Sequence, residues 1–310
     1  MTDPVQLLAA GEVVALPTET VYGLAADATR ADAVVKIFEM KERPFFDPLI
    51  VHLPGMDWLE RVAAIPPGDR ELFDALSGRF WPGPLTFVLP RRAIIPDIVA
   101  AGLPTVAVRR SAHPVFREII ERFGKPLAAP SANRFGRISP TSREDVLAEL
   151  GDRLHVVDGG RTEHGLESTI VQIGGGRISL LRAGPVTKEM LAEFAPAAAA
   201  RANELPAAPG MLKSHYAPRT PLRFAADVRE IPPRCGLLAW RSRETDGPFA
   251  RVEFLSEKQD LREGAARLFA AMRRLDEAGL DLIVAEEVPE TGVGAAIMER
   301  LRKAAATRDP

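Results

Sequence analysis

Short apolar runs alternate with longer segments whose apolar residues recur every three or four positions through the first part of the chain. The runs at 13–16 and 85–89 are rich in aliphatic side chains, and they predict buried strands. The spacing of Val34, Ile37 and Phe38 instead places these side chains on one face of a helix. Strands and helices that alternate in this way are typical of an α/β domain.

A glycine run at 174–176 separates two apolar segments, 165–171 and 178–182. This pattern predicts a β-hairpin, whose strands are antiparallel. The sheet is therefore expected to be mixed rather than purely parallel. We predict a twisted, mixed open sheet with helices packed against it.

Two helix starts carry a hydroxyl residue followed three positions later by an acidic one. Thr29 with Asp32 and Ser142 with Asp145 fit the capping-box pattern, in which the two side chains bond to each other's backbone N–H groups. We expect a helix to begin after each hydroxyl residue.

The composition changes at residues 195–208, which are rich in Ala and Pro and show no periodicity. Such a segment is typical of a linker between domains. Beyond about residue 222 the α/β pattern resumes, with apolar runs that predict strands at 235–240, 252–255 and 280–285. The expected parts are a first domain at 1–194, a linker at 195–219 and a smaller Rossmann-like α/β domain at 220–310.

The composition of the chain excludes several classes of protein. The 310 residues carry a net charge of −2, so no overall positive field draws the chain to nucleic acid or to a membrane. The one cysteine, Cys235, excludes an intramolecular disulfide and a cysteine metal cluster. Neither a signal-peptide pattern nor an apolar run of about 20 residues is present, so we expect a soluble cytoplasmic protein.

Small hydroxyls and cations gather at the predicted strand ends and in the loops that follow them. Ligands of open α/β sheets bind in the crevice at such positions. Arginine forks together with hydroxyl donors suit an anion such as a polyphosphate. The residues concerned are Thr18, Thr20, Lys41, Arg43, Thr105, Arg109, Ser131, Ser139, Ser168 and Arg182.

Several catalytic signatures are missing from the sequence. It contains no GxxxxGK[ST] loop, no GxGxxG after a strand, no HExxH and no GxSxG. We therefore expect no nicotinamide, flavin or zinc. An enzyme with this sequence is expected to work by positioning and electrostatics rather than through a covalent intermediate.

Eight motifs follow one another in an order that resembles the YrdC-like family. They are PTETVYGL, the KxRP turn with PLIVH, WPGPLTFVL, TVAVRR, AAPSAN, SPT, ESTI and LLRAGP. The segment PGMLKSHYAP at 209–218, with the α/β pattern after it, resembles the longer two-domain form of that family. The resemblance spans nearly the whole chain.

This resemblance implies the synthesis of threonylcarbamoyl-adenylate and pyrophosphate from L-threonine, bicarbonate and ATP, with Mg²⁺ as a companion of ATP. The product would pass to a threonylcarbamoyl-transferase complex that modifies an adenosine beside the anticodon of certain tRNAs. No stable contact between this chain and nucleic acid is expected.

The family motifs also imply a role for individual residues. Arg109 would clamp the threonine carboxylate, and Lys41 and Arg43 would stabilise the leaving pyrophosphate as catalytic cations. The implied threonine pocket consists of Thr20, His52, Arg109, Ala129 and Ser168. The implied nucleotide site consists of Lys41, Arg43, Asp47, Thr105, Ser131, Ser139, Arg182 and Tyr216.

Asp47 departs from the family pattern, which commonly has Asn before Pro-Leu. A carboxylate cannot donate a hydrogen bond and would repel a phosphate unless a metal or Lys41 offset its charge. Asp47 therefore favours a bound magnesium ion. The linker motif with Tyr216 is expected to fold over the nucleotide site as a lid that excludes water.

Two other functions stay open at this stage. One is an RNA-binding module without synthase activity, because YrdC-like domains present a concave basic surface, although the net charge argues against strong RNA affinity. The other is a carbamoyl-transfer domain of the hydrogenase-maturation type, which shares the core. The sequence shows neither an acylphosphatase-like segment nor cysteine zinc pairs ahead of the core, and their absence argues against this second hypothesis.

Overall fold

The computed structural model describes residues 3–199, 215–241 and 248–306 and contains two β-sheets in this part of the chain. The larger sheet has ten strands in the order β10-β9-β8-β4-β5-β3-β6-β2-β1-β7. Its strands are β1 (Val14–Leu16), β2 (Gly23–Asp27), β3 (Ile50–His52), β4 (Leu85–Pro90), β5 (Thr105–Arg109), β6 (Leu127–Ala128), β7 (His155–Val156), β8 (Thr169–Gly174), β9 (Arg177–Arg182) and β10 (Ala197–Ala199).

Parallel and antiparallel pairs both occur in the larger sheet. Strand β3 pairs in parallel with β5, whereas β4 is antiparallel to β5. Strands β8 and β9 form the antiparallel hairpin that the glycine run predicts. The mixed α/β fold expected from the sequence is confirmed.

Eight helices accompany this sheet within the described residues. They are α1 (Pro4–Ala9), α2 (Ala31–Lys41), α3 (Leu59–Val62), α4 (Arg70–Phe80), α5 (Asp97–Ala100), α6 (Pro114–Phe123), α7 (Arg143–Leu150) and α8 (Lys188–Ala192). The apolar faces of α2 and α4, with Ile37, Phe38 and Phe73, are buried in one cluster with Phe87 of the sheet. Burial of these faces is the main source of stability for such short helices.

The two predicted helix caps have different outcomes. The capping box of Ser142 and Asp145 is formed at the start of α7. The cap at Thr29 is wrong, because α2 begins after Arg30 and has no side-chain cap. The Thr29 hydroxyl instead donates a 2.6 Å hydrogen bond to Asp27, a local contact that competes with capping.

The smaller sheet contains only parallel pairs, in the order β11-β14-β12-β13. Its strands are β11 (Leu222–Phe224), β12 (Cys235–Ala239), β13 (Arg251–Phe254) and β14 (Leu282–Ala285), and its helices are α9 (Leu261–Asp276) and α10 (Gly294–Ala305). Its core is continuous with the larger sheet's region, since Ile138 and Leu166 are buried in the same cluster as Leu268 and Phe269 of α9.

The chain between the two regions is partly described. Ala197–Ala199 form β10, which pairs in parallel with β9, so the larger sheet extends into the segment predicted as linker. Residues 200–214, which include the first six residues of PGMLKSHYAP, lie outside the described residues. Among the helices that the structure describes, none has the length and apolar character to cross a membrane.

Candidate functional site

A small cavity lies where several strand ends of the larger sheet meet. Strands β3 and β5 are parallel neighbours in which His52 is paired with Arg109, so both side chains come from the carboxyl ends of adjacent strands. The residues just before β8 and at the end of β9 contribute Ser168 and Arg182 to the same cavity. This is the position at which open α/β sheets bind ligands.

The cavity brings together most residues of the implied site. All five residues of the threonine set line it: Thr20, His52, Arg109, Ala129 and Ser168. Four residues of the nucleotide set line it as well: Arg43, Ser131, Arg182 and Tyr216. Residues more than 160 positions apart in the sequence therefore share one cavity.

Arg109 reaches the cavity with its guanidinium held from three sides. Its Nη2 donates to Glu19 at 2.6 Å, its Nη1 to the hydroxyl of Thr20 at 3.0 Å and its Nε to the carbonyl of Gly83 at 3.2 Å. These bonds use three of the five N–H groups of an arginine and leave one on each terminal nitrogen. The arrangement fixes a fork that can bind a carboxylate in bidentate fashion.

Glu19 is a site residue that the sequence did not indicate. Its second carboxylate oxygen accepts a hydrogen bond from Ser111 at 2.5 Å, and the side chain is buried. Burial would raise the pKa of Glu19, but the charge of Arg109 and the hydrogen bonds from Ser111 and Arg109 lower it to about 2. The one signal in the sequence was a carboxylate between two threonines in PTET.

His52 is buried beside Arg109 and packs against Phe116, with 4.7 Å between the ring centroids. Burial and the positive charge of Arg109 lower the pKa of His52 to about 3. Its Nδ1 has no hydrogen-bond partner among the described residues. The imidazole is therefore neutral at physiological pH and can accept or donate a single hydrogen bond at each nitrogen.

Ser168 connects the threonine and nucleotide halves of the site. Its hydroxyl lies 2.8 Å from that of Thr86, a second residue that sequence reasoning missed. Arg182 donates to the Ser168 carbonyl at 3.0 Å and to its hydroxyl at 3.1 Å. The buried guanidinium of Arg182 is thereby aligned along the wall of the cavity.

Arg43 and Asp47 form a buried ion pair with 2.8 Å between their charged groups. Arg43 also donates to the carbonyls of Asp47 and Pro48, which holds the turn after α2. The charge of Asp47 is thus offset within the protein itself. A magnesium ion beside Asp47 stays a prediction.

Lys41 and Ser139 stand behind the cavity wall rather than on it. Lys41 is buried and donates to the carbonyls of Ser131 and Asn133, each at 2.5 Å. Burial and the neighbouring charge of Arg43 hold the pKa of Lys41 well below its ordinary value. Ser139 donates at 2.5 Å to Glu167, a carboxylate that lines the cavity.

Thr105 does not line this cavity. It begins β5 and lies on the same face of that strand as Arg109, about 13 Å away at the usual rise per residue. Its place in the nucleotide site stays a prediction. It would contact a different part of the nucleotide from the cations around the cavity.

His215 and Tyr216, at the start of the second described segment of the chain, also line the cavity. Both side chains are buried, and Tyr216 stacks on Phe269 of α9 with ring centroids 5.5 Å apart. Neither the Tyr216 hydroxyl nor Nδ1 of His215 has a hydrogen-bond partner among the described residues. The cavity is left with a free volume of ≈ 40 Å³, whereas ligand pockets usually have roughly 300 Å³ or more.

Two family models together cover nearly the whole chain. The model Sua5_yciO_yrdC, described as Telomere recombination, matches residues 6–184. The chain belongs to the Sua5/YciO/YrdC family. The second model, described as Threonylcarbamoyl-AMP synthase, C-terminal domain, matches residues 186–306.

Relatives in this family match the chain over almost its full length. The threonylcarbamoyl-AMP synthase of Bacillus subtilis (strain 168) is 42% identical, covering 97% of this chain and 92% of the relative. That of Pyrococcus abyssi is 38% identical, covering 96% and 92%. The crystal structure of P. abyssi Sua5 complexed with L-threonine matches with a TM-score of 0.86 at 36% identity, covering 97% of this chain and 92% of that one. The chain therefore has the two-domain form of the family.

Proposed function

We propose that this protein is an L-threonylcarbamoyladenylate synthase, which makes threonylcarbamoyl-AMP and pyrophosphate from L-threonine, bicarbonate and ATP. The observation that carries the proposal is the cavity in which all five residues of the threonine set meet Arg43, Ser131 and Arg182 of the nucleotide set. Full-length relatives bear the name of this activity. The RNA-binding alternative has no comparable observation in its favour.

Threonine would bind at the Arg109 end of the cavity. The two free N–H groups of Arg109 would hold the carboxylate, and the hydroxyls of Thr20 and Ser168 would bond to polar groups of the amino acid. Neutral His52 would add one hydrogen bond without repelling the threonine amine. The neutral amine would then form a carbamate, either by adding to carbon dioxide with loss of a proton or by condensing with bicarbonate with loss of water.

ATP would bind with its phosphates near Arg43 and Arg182. The carbamate oxygen would attack the α-phosphate, and pyrophosphate would leave with its charge balanced by these two buried cations. Lys41 would act by fixing the Ser131–Asn133 loop, since its Nζ donates hydrogen bonds to two carbonyls of that loop. No protein nucleophile is needed for this chemistry.

Mg²⁺ would enter with ATP rather than bind a cage built by the protein. The described residues contain no cluster of three or more His, Cys, Asp or Glu side chains able to hold a metal ion. Mg²⁺ in nucleotide sites keeps several waters and is bound by substrate phosphates with one or two carboxylates. Glu167 lines the cavity and Asp47 is paired with Arg43, so these two carboxylates could contact the ion, which would supply further charge neutralisation there.

The linker motif would act as a lid. With Tyr216 and His215 in place the free volume is too small for ATP, so this segment would have to move before the nucleotide enters. Closure afterwards would protect the mixed anhydride from water. Replacing Tyr216 by Ala should then increase hydrolysis of the bound product, measured as AMP released per adenylate formed.

The product would be consumed by a threonylcarbamoyl-transferase complex that modifies tRNA next to the anticodon. Because the reaction uses ATP and serves tRNA, we propose the cytoplasm as its compartment.

The direct test is pyrophosphate release by the purified full-length protein with ATP and bicarbonate, with and without L-threonine. We expect release that depends on L-threonine and is not supported by D-threonine. Folded protein that releases no threonine-dependent pyrophosphate would refute the proposed function.

A further inference from the structure

Arg300 of α10 is a fully buried cation that crosses from the smaller to the larger region of the protein. Its Nε and Nη2 each lie 3.2 Å from one oxygen of Glu167, and its Nη1 donates to the carbonyl of Ala183 at 2.6 Å. Both partners belong to the larger region. Burying a guanidinium is costly unless its hydrogen bonds are satisfied, so these contacts fix its position closely.

Each partner of Arg300 is next to a residue of the proposed site. Glu167 precedes Ser168, and its other oxygen accepts the hydrogen bond from Ser139. Ala183 follows Arg182, the cation proposed for the phosphates. A shift of Ala183 would therefore move Arg182, and a shift of Glu167 would move its hydrogen-bond partner Ser139, both of the nucleotide set, along with the neighbouring Ser168.

Neighbouring residues of α10 make further contacts with the same part of the larger region and with His215 and Tyr216. Glu299 accepts a hydrogen bond from the N–H of Ala183 at 3.0 Å, so α10 holds both polar groups of that residue's backbone. The guanidinium of Arg300 lies 5.4 Å from the ring centroid of Tyr216. The backbone of His215 donates to the carbonyl of Lys303 at 3.3 Å.

We propose that Arg300 is a positioning residue for the nucleotide half of the site, acting through Glu167 and Ala183. This inference rests on the proposed function and deepens it. It assigns the C-terminal region a part in ATP binding that is separate from the lid. A buried ion pair adds little stability compared with well-packed apolar side chains, whereas it orients groups with a defined geometry.

Loss of the guanidinium should act mainly on ATP. Arg300→Met fills much of the same volume but leaves the Glu167 carboxylate without its cation at the cavity wall, where it would repel the phosphates. We expect ATP affinity to fall by about tenfold or more, because an unpaired carboxylate in a partly buried site repels the phosphate charges strongly. Threonine affinity should fall much less, because the contacts of Arg109 are untouched and Ser168 is the one member of the threonine set that adjoins Glu167 in sequence.

The test measures ATP and threonine affinity separately by titration calorimetry on full-length Arg300→Met, Arg300→Lys and the double variant Arg300→Met with Glu167→Gln. The double variant removes the unpaired charge, so it should regain part of the lost ATP affinity, and Arg300→Lys should fall between wild type and Arg300→Met. Arg302→Ala is the matched control, since Arg302 is half exposed on the same helix and, within the part of the chain that the structure describes, forms an ion pair only with Glu290. It should bind both ligands as the wild type does.

Folded Arg300 variants that bind ATP normally, or that lose ATP and threonine affinity equally, would overturn the inference. If the wild-type protein makes the adenylate and the Arg300 variants bind ATP normally, the role of Arg300 is refuted and the proposed function stands. If ATP binding depends on Arg300 but the wild-type protein has no synthase activity, the proposed function is refuted and the role of Arg300 in ATP binding stands. Wild-type protein that does not bind ATP would refute both.

Discussion

At the scale of single residues, the site depends on groups that are already bound to protein partners before any substrate arrives. Arg109 is held by Glu19 and Thr20, and Arg43 by Asp47. Such preorganisation lowers the cost of ordering side chains when a substrate binds. The predictions at this scale therefore concern geometry as much as charge.

Replacing Arg109 by Lys should raise the KM for threonine by about tenfold or more, because an ammonium keeps the charge but loses the bidentate fork. The KM for ATP should change much less. Pyrophosphate release measured against each substrate in turn checks this. Arg110→Lys, one position further along, is the control, and an equal rise of both KM values would contradict the assigned role of Arg109.

Glu19 should make stability depend on acid pH. Because its folded pKa of about 2 lies below the ordinary value of 4.5, the ion pair stabilises the fold above pH 4.5 and loses that effect as the pH falls toward 2. Glu19→Gln should cost on the order of 3 kcal/mol at pH 7, and the cost should shrink between pH 4.5 and pH 2.

Urea unfolding of wild type and Glu19→Gln over that pH range measures the difference. Glu12→Gln removes an exposed carboxylate paired with Lys36 and should show no such trend. A Glu19→Gln cost that stays constant from pH 5 to pH 2 would show that the ion pair does not hold the carboxylate ionised.

At the scale of elements, local sequence patterns predicted most strands and helices, because hydrophobic periodicity and caps act over a few residues. The capping box of α7 is an example. The predicted cap at Thr29 failed because a nearby Asp27 offers the hydroxyl a competing partner. Neighbours that lie far apart in sequence leave no local trace, so β10 beside β9 was missed.

Ser142→Ala should lower the free energy of unfolding by about 1 kcal/mol, since it removes the N-cap of α7. Ser142→Thr keeps the hydroxyl and should recover most of the loss. Urea denaturation would measure the free energy of unfolding of both variants, provided that the slope of this free energy against urea concentration is the same as in the wild type. Equal stability of Ser142→Ala and wild type would show that the cap contributes nothing.

The sequence likewise predicted one part of the candidate site and not the other. The family motifs supplied the residues of the cavity, but not the contacts between them. Glu19 and Arg109 are 90 positions apart, and Glu167 and Arg300 are 133 apart. Such pairs depend on how the whole chain folds, and nothing in either residue's local sequence indicates its partner.

At the scale of the whole molecule, the two sheets share a buried core and buried charges. Ile138 and Leu166 pack in one cluster with residues of α9, and Arg273 of α9 donates to the carbonyl of Ile138 at 3.0 Å. Domains joined by such a continuous apolar contact are not expected to melt independently.

Differential scanning calorimetry should therefore show one cooperative transition for the full chain. ATP should raise its midpoint, because a ligand that binds only the folded state stabilises it by mass action. Two well-separated transitions, with ATP shifting only one of them, would show that the C-terminal region is energetically independent of the site.

Labelled bicarbonate tests the proposed reaction most directly, since the formation of a carbamate distinguishes this reaction from other adenylations. Full-length protein with ATP, L-threonine and carbon-labelled bicarbonate should transfer the label into a nucleotide product in equal amount to the pyrophosphate released. Pyrophosphate and nucleotide product without label would contradict the proposed chemistry, because threonine would then be adenylated without its carbamate.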